Sequence, residues 1–200
     1  MLIGLTGRSG AGKSTVSRFF QKEGFRVIDC DAIVHRLYSD AAYSAKIAET
    51  FGNDCVSNGC VDRKKLAAIV FADEKKLQLL NRVASVFIKD AILKEIQCVR
   101  ESGEDAVLDA PLLFEYELEK ECDEVWGVVC DMETAVKRLL LRDGKSEAEI
   151  RARLSAQHDN DYFRRHCDFL VENNGDDEAF LQLYLDLQME LLRIRKRENK

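Results

Sequence analysis

The sequence predicts an α/β fold in which a five-stranded parallel sheet is wrapped by helices. Short apolar runs alternate with helical periodicity, a glycine-rich segment joins the first strand to the first helix, and two strands end in an aspartate. Ligands of such sheets bind beyond the carboxyl ends of the strands, where these residues are expected. The predicted strands cover residues 2–6, 27–28, 106–108, 125–130 and 169–171, and the clearest helices 14–22, 75–100, 133–142 and 178–195.

The composition indicates a folded, acidic chain. Its 200 residues are 46% hydrophobic and 33% charged, which suits one domain with a sizeable core and a small insert. The formal net charge of −6 disfavours binding to a nucleic-acid backbone, which is itself negative. No run of about 18 apolar residues occurs, and residues 1–6 lack the basic start of a signal peptide, so no membrane association is predicted.

The cysteines indicate a reducing compartment. Their number is odd and no Cys-x-x-Cys pair occurs, so we interpret them as thiols of a cytoplasmic protein rather than as a disulfide framework. The seven positions are Cys30, Cys55, Cys60, Cys98, Cys122, Cys130 and Cys167.

The glycine-rich segment between the first strand and the first helix is a phosphate-binding loop, or P-loop. Residues 7–14 match the pattern GxxxxGK[ST] at every fixed position. Backbone N–H groups of such a loop converge on the β-phosphate of a nucleotide, and the helix N-terminus adds its positive end. Lys13 is expected to reach the β- and γ-phosphates, and Ser14 to bind Mg²⁺. The predicted nucleotide-binding residues here are Gly10, Ala11, Gly12, Lys13, Ser14 and Thr15.

Carboxylates follow two of the predicted strands. Transfer of a phosphoryl group to an alcohol needs a carboxylate beside the hydroxyl. Asp31, just past the second strand, is a better candidate for it than Asp29, although Asp31 could instead cap the following helix. Asp109 ends the third strand, where it could hold Mg²⁺ through water or simply form a turn before Pro111.

Arginines are concentrated between residues 138 and 153. Guanidinium groups stabilise the charge that spreads over a transferring phosphoryl group. Arg138 is a candidate to bind the nucleotide, while a solvated helix face remains the alternative for three of the four arginines. The others are Arg142, Arg151 and Arg153.

The chain divides into three predicted parts. Residues 32–103 contain no convincing strand and far exceed the length of one crossover, so they are interpreted as a mostly helical insert. Residues 142–167 are polar and rich in arginine, which indicates a helical lid. The nucleotide-binding core then consists of residues 1–31, 104–141 and 168–200.

Several motifs, in this order, resemble those of the dephospho-CoA kinase family. The P-loop is followed by a Val-Ile-Asp-x-Asp segment at 27–31 and by a Pro-Leu-Leu-Phe-Glu element at 111–115. An Arg-Asp pair at 142–143 and an Arg-x-x-x-Gln pattern at 153–157 resemble the lid of that family. The final Asp-Phe-x-x-x-Asn-x-Gly strand lies at 168–175, so the resemblance spans nearly the whole chain.

The resemblance implies phosphorylation of the ribose 3′-hydroxyl of dephospho-CoA, with ATP and Mg²⁺. It implies that the insert binds CoA and that Asp31 is the general base. It places Arg142 near the phosphates and adenine of ATP, and Asn174 and Gly175 in a loop beside the adenine.

Two departures from the family pattern are visible. The family usually has Gly-Gly-Ile where this chain has Gly7, Arg8 and Ser9, so Arg8 adds charge that we expect near the phosphates. Ser85 and Val86 replace a His-Pro pair in the insert, and without the proline we expect the helix to continue unbroken.

Other functions stay open at this level. The nearest alternative is another small-molecule P-loop kinase, of nucleoside or sugar type. A GTP-dependent switch would need an Asn/Thr-Lys-x-Asp string and an Asp-x-x-Gly string, and neither occurs. A degenerate nucleotide-binding module is disfavoured because Lys13, Ser14, Asp31 and Asp109 are all intact. The oligomeric state is not predicted.

Overall fold

The computed structural model describes residues 1–175 and 177–198. Residues 176, 199 and 200, which belong to the predicted core segment 168–200, lie outside the described residues. The chain forms two compact units: one comprises residues 1–27 and 104–200, and the other comprises residues 28–103. The predicted insert, 32–103, lies within the second unit.

The secondary structure alternates between strands and helices. The strands are β1 (Leu2–Gly7), β2 (Arg26–Asp29), β3 (Val56–Ser57), β4 (Cys60–Val61), β5 (Ala106–Asp109), β6 (Glu124–Val129) and β7 (Phe169–Glu172). The helices are α1 (Lys13–Lys22), α2 (Cys30–Leu37), α3 (Ala41–Phe51), α4 (Arg63–Val70), α5 (Glu74–Ser102), α6 (Met132–Asp143), α7 (Glu147–Ser155), α8 (Asn160–His166) and α9 (Asp177–Glu198).

The main sheet has five strands in the order β2-β5-β1-β6-β7. β1 lies between β5 and β6 and pairs with both in parallel, and β6 pairs in parallel with β7. The predicted five-stranded α/β fold is therefore confirmed. This order brings the ends of β1 and β5 side by side, which positions the P-loop next to Asp109.

Trp126 lies at the centre of the core of the first unit. It is fully buried in β6, with its ring centroid 4.9 Å from that of Phe20 on α1 and 4.7 Å from that of Phe169 on β7. One side chain thus joins a helix to two strands. Because such a sheet is buried on both faces, its strands appear in the sequence as continuous apolar runs.

The segment predicted to be a lid, residues 142–167, contains helices α7 and α8. α6 ends at Asp143, and the next residue, Gly144, has a φ of 62°, in the left-handed region that favours glycine. α7 begins at Glu147 and is preceded by Ser146, which forms a reciprocal capping box with Glu149. Local sequence therefore specifies the sharp break between these helices.

The longest helix of the second unit is α5, with 29 residues. It continues without a break through Ser85 and Val86, which confirms the expectation drawn from the missing proline. The hydroxyl of Ser85 donates to the carbonyl of Arg82 in its own helix at 2.9 Å.

The second unit also contains strands that the sequence analysis missed. β3 and β4 form an antiparallel hairpin, so the prediction of no strand in 32–103 was wrong there. Its turn is formed by Asn58 and Gly59, with φ values of 53° and 77°. An Asn-Gly pair with both φ values positive is the usual two-residue hairpin turn, and that pair was the available signal.

No helix among the described residues is long and apolar enough to cross a membrane.

Replacing the central tryptophan should destabilise the fold strongly. Trp126→Ala is expected to lower the free energy of unfolding by about 3–5 kcal/mol, because a large cavity replaces the indole ring. Urea denaturation followed by circular dichroism would measure it, since the chain has no other tryptophan to report by fluorescence. Phe71→Ala is the control, because that side chain is 76% exposed. A loss below about 1 kcal/mol for Trp126→Ala would contradict this account of the core.

Candidate active site

The P-loop connects the end of β1 to the start of α1. Gly12 immediately precedes α1 with a φ of 94°, a conformation that residues with a side chain rarely adopt. A Cβ atom at Gly12 would also overlap the side-chain amide of Asn173. The glycine is therefore required both by the backbone conformation and by the close approach of a neighbouring loop.

The side chains of Lys13 and Asp109 form an ion pair at the carboxyl ends of β1 and β5. They are 18% and 14% exposed, so they lie in a partly desolvated recess where charge interactions are stronger than in water. Sequence analysis assigned Lys13 to nucleotide phosphates and Asp109 to a metal ion. The structure brings the two side chains together, and both assignments stay predictions.

Arg138, on α6, supports the P-loop from within the first unit. Its guanidinium donates to the carbonyl oxygens of Gly10 at 3.3 Å, Ala11 at 3.5 Å and Asn173 at 2.9 Å. It also contacts the carbonyl of Gly175 at 3.5 Å. The predicted nucleotide contact of Arg138 stays a prediction, since the contacts present hold two backbone segments together.

The loop after β7 is the second support of the P-loop. Asn173 donates from its side-chain amide to the carbonyl of Ala11 at 2.8 Å. Asn174 accepts from the backbone N–H of Asp131 at 2.7 Å, just before α6. Asn174 and Gly175 were predicted as nucleotide-side residues, whereas Asn173 was missed. The signal that could have identified Asn173 is its amide side chain, which directly follows a strand that ends beside the P-loop.

Residues 142–167, the predicted lid, contain an arginine pair held by one aspartate. Arg142 donates to Asp143 at 2.6 and 3.2 Å, and Arg153 donates to the same carboxylate at 3.0 Å. The hydrogen bond from Arg142, with the charges of Arg142 and Arg153, holds the pKa of Asp143 below its usual value. Asp143 is therefore ionised at neutral pH and fixes both guanidinium groups. Sequence analysis selected Arg142 and left out Arg153.

Two further arginines make contacts that involve α7. Arg8 donates from Nη2 to the carbonyl of Leu154 at 2.8 Å, near the end of α7, and the charge that it adds near the phosphates stays a prediction. Arg151 pairs with Glu133 and Glu147, and these hydrogen bonds raise its pKa. Arg151 thus joins α6 to α7, as expected for a residue of a helix surface.

In the second unit, Asp29 and Asp31 have separate positions. α2 begins at Cys30, and Asp29 caps it by accepting from the N–H of Ala32 at 3.0 Å. The alternative that Asp31 caps this helix was therefore wrong. Asp31 lies exposed in the first turn of α2, and within the described residues no hydrogen bond or ion pair of its carboxylate is present. Its role as general base stays a prediction.

Comparison with known proteins gives a consistent result. The family model described as dephospho-CoA kinase matches residues 1–178. The chain is 39% identical over 182 residues to the dephospho-CoA kinase of Carboxydothermus hydrogenoformans, covering 89% of this chain and 88% of that protein. It is 35% identical over 188 residues to the dephospho-CoA kinase of Shouchella clausii, covering 92% and 95%. The solved structure of dephospho-CoA kinase from Campylobacter jejuni matches with a TM-score of 0.72 and 26% identity, covering 95% and 96%.

Lys13→Ala should abolish most phosphoryl transfer without unfolding the protein. The substitution removes the positive charge at the end of the P-loop, and we expect the turnover rate to fall by about 10²-fold or more. A coupled assay of ADP release would measure the rate, and circular dichroism the fold. Lys22→Ala, an exposed lysine at the other end of α1, is the matched control. Near-normal turnover by folded Lys13→Ala protein would rule out the assigned role of the loop.

Proposed function

This chain belongs to the dephospho-CoA kinase family, and from that premise we propose how its own residues transfer the γ-phosphoryl group of ATP to dephospho-CoA. The enzyme is a phosphotransferase that converts dephospho-CoA into CoA by phosphorylating the ribose 3′-hydroxyl, the last step of CoA biosynthesis. The proposed mechanism rests on one observation, the ion pair between Lys13 and Asp109 at the ends of two adjacent strands.

The P-loop binds the phosphates of ATP. The N–H groups of the loop and the positive end of α1 favour an anion, and Lys13 contributes a full charge. Lys13 exchanges its contact with Asp109 for one with the β- and γ-phosphates. The supports behind the loop, Arg138 and Asn173, keep its backbone in position during this exchange.

Ser14 and Asp109 are the residues that would hold Mg²⁺. A hydroxyl and a carboxylate are hard oxygen donors, and Mg²⁺ is commonly bound by only one or two protein groups together with substrate phosphates and water. The donor set present therefore fits the ion. Bound there, Mg²⁺ would neutralise charge on the β- and γ-phosphates.

Asp31 accepts the proton of the attacking hydroxyl. It follows the end of β2 by two residues, and the carboxyl ends of strands are where ligands of parallel sheets bind. Because Asp29 already caps α2, the carboxylate of Asp31 is not engaged in holding the helix. A carboxylate in that position orients the ribose hydroxyl and removes its proton as the bond to phosphorus forms.

The lid arginines stabilise the charge of the transferring group. Arg142 and Arg153 converge on Asp143, and guanidinium groups contact phosphoryl oxygens through paired N–H donors. We assign residues 142–167 as the lid, residues 32–103 as the insert that binds the CoA part of the acceptor, and 1–31, 104–141 and 168–200 as the nucleotide-binding core. We also place the enzyme in the cytoplasm, without nucleic-acid partners, as its charge favours.

The first test of this proposal is product formation. With ATP, Mg²⁺ and dephospho-CoA together, we expect ADP release and a product one phosphate heavier, with the phosphate on the 3′-oxygen, identified by mass spectrometry. Omitting dephospho-CoA or chelating Mg²⁺ should stop both. Nucleosides and sugars offered as acceptors provide the comparison with the alternative kinase type. ADP release with those acceptors but not with dephospho-CoA would overturn the proposal.

The second test separates Asp31 from its neighbour Asp29. Asp31→Asn removes the charge that deprotonates the hydroxyl, so kcat should fall by about 10²-fold or more. Asp29→Asn is the matched control, because asparagine caps a helix about as well as aspartate and should leave kcat and Tm nearly unchanged. Both are measured at saturating dephospho-CoA, with thermal melts in parallel. Activity of Asp31→Asn within about threefold of the parent would remove Asp31 from the mechanism.

A further inference from the structure

Ser9, in the P-loop, makes three hydrogen bonds to residues at the end of α7. Arg153 donates from Nη2 to the Ser9 hydroxyl oxygen at 3.0 Å, and Gln157 donates from Nε2 to the same oxygen at 3.0 Å. The backbone N–H of Ser9 donates in return to Oε1 of Gln157 at 3.1 Å. The side-chain amide of Gln157 therefore binds both the backbone N–H and the hydroxyl of Ser9.

These bonds extend a chain of contacts from the P-loop to the end of α6. Arg153 uses its other η nitrogen to bind Asp143, at the end of α6. The neighbouring loop residue, Arg8, binds the carbonyl of Leu154 at 2.8 Å. The inner face of α7 is packed separately, because Leu154 is fully buried in the core. Ser9 and Arg8 thus hold the exposed end of a helix whose other face is already fixed.

The bonding role of Ser9 depends on its hydroxyl and not on an unusual backbone. Among the described residues, the non-glycine residues with positive φ are Asn58 and Glu117, so Ser9 adopts a backbone open to other side chains. The side chain of an alanine or another apolar residue at this position could not accept hydrogen bonds from Arg153 and Gln157. Arg153 and Gln157 would then lose the hydroxyl that they share, while the backbone N–H of residue 9 could still donate to Gln157.

We propose that Ser9 is a positioning residue that holds Arg153 and Gln157 of the lid against the phosphate-binding loop during phosphoryl transfer. The inference rests on the proposed function of the P-loop. A guanidinium group held beside the transferring phosphoryl stabilises its charge only if the group is in place before the reaction, because ordering it afterwards would add to the barrier. Ser9 acts through Arg153 and Gln157, so its contribution appears in kcat.

The test compares Ser9→Ala with Ser9→Thr, which keeps the hydroxyl. We expect Ser9→Ala to lower kcat by about 3- to 10-fold, as loss of one or two hydrogen bonds predicts, while KM for ATP changes less than about twofold. Ser9→Thr should stay near the parent. Ser102→Ala is the matched control, because the hydroxyl of Ser102 bonds the carbonyl of Val99 in its own helix.

Hydrogen exchange provides a readout that needs no substrate. Amides of residues 147–157 should exchange faster in Ser9→Ala than in the parent, and amides of α4 in the other unit should not change. This measurement distinguishes the two proposals. If the assigned reaction were wrong, the parent protein would not phosphorylate dephospho-CoA, but the difference in hydrogen exchange between Ser9→Ala and the parent would remain.

A double-mutant cycle with Gln157→Ala completes the test. If Ser9 acts through Gln157, the double variant should be impaired by less than the product of the two single effects. Three results would each overturn the inference. They are independent effects of the Ser9→Ala and Gln157→Ala substitutions, unchanged kcat and hydrogen exchange in Ser9→Ala, and a Ser9→Thr variant as impaired as Ser9→Ala.

Discussion

The site depends on the hydrogen bonds that backbone carbonyl groups of the P-loop accept from Arg138 and Asn173. The carbonyl of Ala11 accepts from both Arg138 and Asn173. Because a trans peptide directs its C=O and N–H to opposite sides, binding that carbonyl turns the N–H of Gly12 the other way. The loop thereby presents a donor to an anion, instead of turning it into the protein. Arg138 and Asn173 therefore help to hold the P-loop backbone in its conformation, together with the glycines of the motif.

The charged groups of the site illustrate how an acidic protein can bind an anionic substrate. The chain carries a net charge of −6, yet Arg8, Lys13, Arg142 and Arg153 all belong to the first unit. Each is fixed by a specific acceptor: Lys13 by Asp109, Arg142 and Arg153 by Asp143, and Arg8 by a backbone carbonyl. Donors that are already fixed lose less conformational freedom when the substrate binds, and this favours binding.

The two aspartates around the start of α2 show that neighbouring residues of one type can have different roles. Asp29 satisfies a backbone donor of the helix, while Asp31 lies in the exposed first turn. In sequence the two alternatives for Asp31 were evenly matched, because a helix that began two residues later, at Ala32, would have Asp31 as its capping residue. The observed start at Cys30 removed the capping alternative.

By itself, the sequence determined the strands of the main sheet, the P-loop, the break between α6 and α7 and the unbroken course of α5. Apolar runs, glycine positions, capping residues and a missing proline act locally, so a short window of sequence contains the whole signal. Only the tertiary structure decided that Lys13 meets Asp109, 96 residues away, and that Ser9 meets Gln157, 148 residues away. Such pairs depend on which strands become neighbours and on where a distant helix ends. The hydrogen bonds of Arg138 could not be predicted either, since most of their acceptors are backbone carbonyls and every residue type carries one.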